Sequence, residues 1–164
     1  MVKRINLTGA DCPVARALDV IGDWWSLLII RDVFDDLRRF SEIQTNLGIA
    51  KGMLATRLRE LIARGILTTA PASDGSAYQE YVLTEKGRGL FLVIVALRQW
   101  GEEHLYRHAQ PHSLLVETKT GRPVQRLVLR SAAGRSLNWG ATQVRAPLKG
   151  KLDHAPGGSR PLTS

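Results

Sequence analysis

The chain has 164 residues, 44% of them hydrophobic, and 23 Lys+Arg against 15 Asp+Glu give a formal net charge of +8. This size holds one domain with a sizeable core plus an appendage, and the apolar content excludes a disordered chain. No apolar run reaches the roughly 18 residues of a membrane span, and the single cysteine excludes an internal disulfide.

Lys3 and Arg4 precede an apolar stretch that Arg16, Asp19 and Asp23 interrupt, so the N-terminus does not read as a signal peptide, and Asp11 before Cys12 argues against lipid attachment. The expected location is therefore the cytoplasm. The charge is unevenly placed. Residues 1–108 hold 14 basic and 13 acidic side chains, whereas residues 109–164 hold 9 and 2. Basicity belongs mainly to the C-terminal part, and the isoelectric point alone is a poor argument for nucleic-acid binding.

Taken in chain order, residues 1–10 read as an N-terminal arm. Asp11 is placed to cap a first helix with Pro13 in its opening turn, ending near Ile21–Gly22, with Val14, Ala17, Leu18 and Ile21 as its stripe. A second helix is expected over Trp24–Phe34, with Trp24 and Trp25 in the core. The stretch Phe40–Leu67 then reads as two short helices around the turn Leu47–Gly48, the build of a helix-turn-helix. Ser41 and Gln44 are spaced as a capping box for the first of these helices. The second runs from about Ala50 to Arg64 and stops at Gly65, a residue suited to the left-handed position after a helix. Leu54, Leu58, Leu61 and Ile62 form one buried stripe, and at about 100° per residue the opposite face carries Gly52, Thr56, Arg59 and Ala63, with Lys51 in the first turn. Between Arg38 and Arg64, six basic residues meet two acidic ones.

Beyond Gly65, Ile66–Thr69 and Tyr78–Leu83 read as strands flanking an Asp74-Gly75 turn, a hairpin placed as a wing. Thr84 is placed to cap a long helix reaching about Arg107. Its segment Leu90–Leu97 is apolar all round, and a helix of that kind is buried on every side. One face packs on the domain, and the other calls for the same helix of a second subunit or for cover by the C-terminal segment. The interface expected for a homodimer comprises Leu90, Phe91, Ile94, Leu97 and Trp100. Residues 110–146 are expected to form a small β-meander, with strands near Leu114–Glu117 and Gln125–Leu129 and a faint 13-residue repeat around Gly121 and Gly134. Residues 147–164 read as a disordered tail.

The ordered set Cys12-Pro13, Leu18, Ile21-Gly22-Asp23-Trp24-Trp25, Arg39-Phe40-Ser41-Glu42-Ile43, Gly48-Ile49, Leu54, Arg57-Leu58-Arg59-Glu60-Leu61, Gly65-Ile66-Leu67, Glu80-Tyr81-Val82-Leu83-Thr84, Gly87 and Trp100 resembles the HxlR-type family of bacterial winged helix-turn-helix regulators, relatives of the MarR-like group. The resemblance spans about residues 12–101 and places the winged domain at residues 11–109. It implies a mainly α fold with a small β wing, a homodimer built on the terminal helices, and a DNA-binding regulator in the cytoplasm. This chain departs from the family in having Ala50 where Ser is common, and its Pro71–Ala77 wing carries no Lys or Arg.

The expected partners are double-stranded DNA at a short inverted repeat, a second copy of the chain, and an unidentified small-molecule effector, with no membrane. The expected DNA contacts are Arg38, Arg39, Ser41, Lys51, Gly52, Thr56, Arg57 and Arg59. Cys12 reads either as a redox or electrophile sensor, favoured by the helix N-terminus and Arg16, or as a small buried residue packing the first helix. His104, His108 and His112 recur every four residues, but Pro111 interrupts them. The Gly121 and Gly134 turns resemble zinc-ribbon knuckles without thiols, so no metal or cofactor is expected. No nucleophile-base pair, phosphate loop or paired-carboxylate motif supports an enzyme. The alternative to a DNA-binding regulator is a winged-helix protein-interaction module.

Overall fold

The structure is a computed structural model that describes residues 7–145. Six helices and one hairpin follow in order: α1 (Pro13–Ile21), α2 (Trp24–Phe34), α3 (Phe40–Leu47), α4 (Lys51–Ala63), β1 (Leu67–Pro71), β2 (Gln79–Leu83), α5 (Glu85–Arg88) and α6 (Phe91–His104). This is a winged helix-turn-helix. The chain divides into a unit ending at Gln125 and a second beginning at Arg126. No helix among the described residues is long and apolar enough to cross a membrane.

Helix caps set the entry of each element, and two differ from expectation. The residue preceding α1 is Cys12, not Asp11, and its side chain makes no capping bond. In α2, Asp23 accepts from the Ser26 amide at 2.9 Å and also from the Ser26 hydroxyl. Arg39, not Ser41, is the N-cap of α3, where the Glu42 carboxylate reaches back to accept from the Arg38 and Arg39 amides at 3.0 and 2.9 Å. Glu42 thus supplies the reciprocal half of a capping box. Gly48 ends α3 at φ +61° and Gly65 follows α4 at φ +68°, a left-handed backbone that a Cβ disfavours.

The core gathers one face of each of the first four helices and the start of β1: Ile21 of α1, Ile29, Ile30 and Val33 of α2, Ile43 of α3, Leu54, Leu58 and Leu61 of α4, with Ile49, Ile66 and Leu67. Ile62, expected with this stripe, is exposed. Trp24 is also corrected: it is 69% exposed, and only Trp25 packs against the core. Adjacent residues on a helix diverge by about 100°, so a tandem pair cannot bury both rings on one face. Phe40 is partly buried against the same core.

Strands β1 and β2 pair antiparallel, with Leu67 opposite Leu83 and Pro71 opposite Gln79. Pro71 therefore closes the ladder instead of opening the loop. The long C-terminal helix is interrupted at Gly89–Leu90 and ends at His104. Thr84 caps its first piece, accepting from the Gly87 amide at 3.0 Å.

After α6, the chain returns along that helix. The Arg98 guanidinium donates to the Ser113 carbonyl at 2.7 Å, and the Gln99 amide donates to the Gln125 carbonyl at 3.1 Å. The two glycine turns are present, but the expected strands are not. The turn at Gly121 closes the isolated bridge Val116–Pro123, and the turn at Gly134, in the second unit, closes Arg130–Ser136. Each apolar run pairs with one short segment only, which is too little to propagate a sheet. A single 3-10 turn follows at Trp139–Ala141. The tail expected to be disordered, residues 147–164, lies outside the described residues, as does most of the N-terminal arm.

Candidate nucleic-acid interface

Helix α4 buries Leu54, Leu58 and Leu61 and turns Lys51, Gly52, Thr56 and Arg59 outward. Its N-cap, Ala50, has no side chain that can accept from the first-turn amides. The Thr56 hydroxyl donates back to the Gly52 carbonyl at 3.0 Å. Arg59 lies along the same face, donating to the Ala55 carbonyl and to Thr56 Oγ1, each at 3.3 Å. No carboxylate among the described residues pairs with Lys51 or Arg59. Ser41 is exposed in the first turn of α3.

The remaining cations of this region are tied down. Arg57 sits on the flank of α4, with Nη1 2.6 Å from Glu60 and Nε 3.4 Å from Asp23, so it braces the recognition helix against the start of α2. Arg64 makes the matching tie to Asp19 of α1 at 3.6 Å. Arg38 pairs with Asp36 and approaches Glu80 at 4.0 Å. Arg39 pairs with Asp74 at the wing tip, lies 3.7 Å from Glu80, and stacks over the Tyr78 ring at 5.7 Å.

Glu80, buried on β2, is the centre of this cluster. It also accepts from the Ser73 amide and hydroxyl at 3.2 and 3.1 Å. A buried carboxylate requires such partners. The hydrogen bond from Arg39, followed by those from Ser76, holds the Asp74 carboxyl well below the usual carboxylate range. The same contact to Asp74 raises Arg39. A backbone bond from the Tyr81 amide to the Arg38 carbonyl, 2.8 Å, fastens the turn before α3 to the wing.

Sequence reasoning missed Glu80 and Asp23 as anchors, and it read Asp74 only as part of the hairpin turn. The one available signal was an acid directly before the apolar run Tyr81–Leu83 of β2. The expected DNA contacts thus divide. Lys51, Gly52, Thr56 and Arg59 form one exposed surface, Arg57 lies off it, and Arg38 and Arg39 belong to the wing cluster.

Cys12 is exposed in the single chain, and the neighbouring Arg16 donates to the Ala10 carbonyl. Of the residues expected at a dimer interface, Leu90 and Ile94 pack on the domain's own core. Phe91, Leu97 and Trp100 are exposed, the last by 56%, and so are Leu92 and Val93. The returning C-terminal segment bonds the Arg98–Gln99 side and leaves these side chains uncovered. His104 stacks against Trp100 and His112 against Tyr106.

Comparison with known proteins matches residues 20–109 to the family model for HxlR-like helix-turn-helix proteins. The HTH-type transcriptional regulator Rv3095 of Mycobacterium tuberculosis (strain H37Rv) is 46% identical over 98 residues, which cover 60% of this chain and 62% of that protein. The chain therefore spans about three fifths of the length of this curated relative. Among solved structures, PA1607, described as a candidate transcription factor, superposes with a TM-score of 0.81 at 49% identity, covering 87% of this chain and all of that one. The redox regulator HypR in its oxidised form gives a TM-score of 0.51 at 36% identity, covering 57% and 97%. With more than half of its length matched to the family model and the winged helix-turn-helix in place, this chain belongs to the HxlR-like helix-turn-helix family.

Proposed function

We propose that the protein is a transcriptional regulator that binds double-stranded DNA as a homodimer, laying α4 into the major groove of each half of a short inverted repeat. The observation that carries this reading is the outward face of α4. A helix buried along Leu54, Leu58 and Leu61 presents Lys51, Gly52, Thr56 and Arg59 on its far side, and no acid among the described residues neutralises the two cations. Gly52 lets the backbone approach closely, while Ser41 is placed at the start of the bracing helix. Two reading helices need a two-fold partner, and the exposed Phe91, Leu97 and Trp100 of α6 supply a self-complementary apolar surface. Fluorescence anisotropy with duplex DNA at two salt concentrations tests the proposal, together with light scattering of the free protein. Affinity should fall as salt rises, because phosphate binding releases counterions. A salt-independent interaction, or none, would favour a winged-helix protein-interaction module. A Leu97→Glu change should yield a monomer.

Two routes for a signal fit this reading. One is oxidation or alkylation of the exposed Cys12, by analogy with the relative described as a redox regulator. Comparing peroxide-treated wild type with Cys12→Ser tests it, since only the wild type should change its DNA affinity. The other is a small molecule bound beside α6.

A further inference from the structure

A cleft of about 370 Å³ opens between α2, α6 and the segment that follows α6. Its walls include Leu27, Ile94 and Leu97, and two guanidiniums, Arg31 and Arg98, reach it from facing helices. Each is paired with one carboxylate but keeps donors to spare. Arg31 Nε donates to Asp32 at 3.0 Å. Arg98 Nη1 lies 3.4 Å from Glu102 and donates to the Ser113 carbonyl at 2.7 Å. Arg31 Nη1 and the Nε and Nη2 of Arg98 have no hydrogen-bond partner among the described residues.

The site is apolar with two open cationic edges and no net charge, because one carboxylate accompanies each guanidinium. A dianionic phosphate would have to outweigh both acids. A single planar carboxylate matches the fork geometry of a guanidinium, and an apolar body fills the remainder.

Asp32 makes this cleft more than a crevice. It is 0% exposed, its charge is met by Arg31, and its other oxygen accepts from Asn46 of α3 at 2.9 Å. One buried carboxylate therefore joins the wall of the cleft to the first helix of the helix-turn-helix. A ligand that draws Arg31 toward the cleft weakens the countercharge of Asp32 and disturbs the position of Asn46.

We propose that the cleft between α2 and α6 binds a monoanionic organic acid with an apolar body, and that the Arg31–Asp32–Asn46 chain carries its binding to α3. The proposal rests on the reading that this DNA-binding regulator responds to a small molecule.

Calorimetry on the full chain with naphthalene-2-carboxylate and its neutral counterpart, naphthalene-2-methanol, tests it. The acid should bind at least tenfold more tightly, and Arg98→Gln should erase that preference while leaving the alcohol unchanged. Arg31→Gln strips Asp32 of its countercharge and risks unfolding, so Arg98 carries the test. Gly101 lines the cleft, and a Cβ built there meets nothing within 4 Å. Gly101→Leu should therefore fill the cleft and abolish binding of both probes. Equal binding of acid and alcohol, no binding of either, or an Arg98→Gln variant with unchanged preference overturns the site.

For the link, saturating acid should weaken DNA binding at least threefold in the wild type. Asn46→Ala should still bind the acid but lose that response. An unchanged or strengthened DNA affinity in the wild type overturns the link. Failure to bind DNA without acid counts against the proposed function and not against the cleft, which the calorimetry reads independently.

Discussion

The wing side and the recognition helix carry the same kinds of side chain to opposite ends. At the wing, Arg38 and Arg39 meet Asp36, Asp74 and Glu80, and their charge holds the hairpin to the entry of α3. On α4, Arg57 and the following Arg64 are likewise tied, to Asp23 and Glu60 and to Asp19. Lys51 and Arg59 differ in having no acid beside them among the described residues. A local excess of basic residues therefore overstates what a nucleic acid can use. Four of the six cations between Arg38 and Arg64 hold the fold together, and two carry no such tie among the described residues.

The sharpest way to break this division is to remove the two. Lys51→Ala/Arg59→Ala should lower the slope of log affinity against log salt by about 2 per protomer, with an affinity loss of tenfold or more at moderate salt. Arg38→Gln/Arg39→Gln should change the slope by less than half as much. Anisotropy titrations across a salt series compare the pairs directly. A slope change of equal size in both would show that the wing arginines reach DNA despite their acids.

Smaller, and opposite in sign, is the effect expected of Asp74→Asn. Removing this carboxylate releases Arg39 from the contact that raises it, so the slope should steepen by up to about 1 and affinity should improve severalfold. The tie should also persist across ordinary pH. Because the folded state lowers the Asp74 pKa, its contribution is present above the unfolded pKa and is lost only as pH falls through the lower folded value. Wild-type affinity should therefore show no Asp74-linked rise as pH falls from about 5 toward 4, where an unlatched carboxylate would begin to protonate. A rise on that descent that disappears in Asp74→Asn would mean that the latch is weaker than the geometry implies.

The sequence carried the helices and the turns well, because periodicity and glycine placement are local signals. Leu54, Leu58 and Leu61 define the buried face of α4 at helical spacing, and Gly48 and Gly65 occupy the left-handed positions that end α3 and follow α4. It did not reveal which charges were free. Arg39 finds Asp74 across 35 residues, and Arg57 and Arg64 find acids in α1 and at the start of α2, separations at which periodicity is silent. Trp24 failed for a different reason, since hydrophobicity gives no direction to one member of a tandem pair. In the C-terminal part, short apolar runs suggested strands, but a strand needs a partner ladder and each run meets only one bridge.

Arg57 is where stability and recognition separate. Arg57→Ala removes the ties to Glu60 and Asp23 and strips a part-buried cap of its countercharge, so thermal unfolding should show a loss of roughly 1–2 kcal/mol. The salt slope should stay within about 0.5 of wild type, because the side chain lies off the reading face. A large slope change with unchanged stability would place Arg57 on the DNA instead.

The smallest effect concerns the start of α4. Ala50 leaves the first-turn amides without a side-chain acceptor, and these amides lie beside Lys51 and Gly52 on the outward face. A serine here accepts from one of them, so Ala50→Ser should raise stability by about 0.5–1 kcal/mol in chemical denaturation. The same donor would then be satisfied before DNA arrives. If the open helix terminus helps hold a phosphate, the gain in stability should come with unchanged or slightly weaker DNA binding. If the terminus only lacks a cap, affinity should be unaffected by the substitution at every salt concentration. Unfolding and DNA titration of the one variant thus ask whether the recognition helix is left uncapped at a cost to the fold alone, or whether its free amides join Lys51 and Arg59 as the surface that meets the backbone.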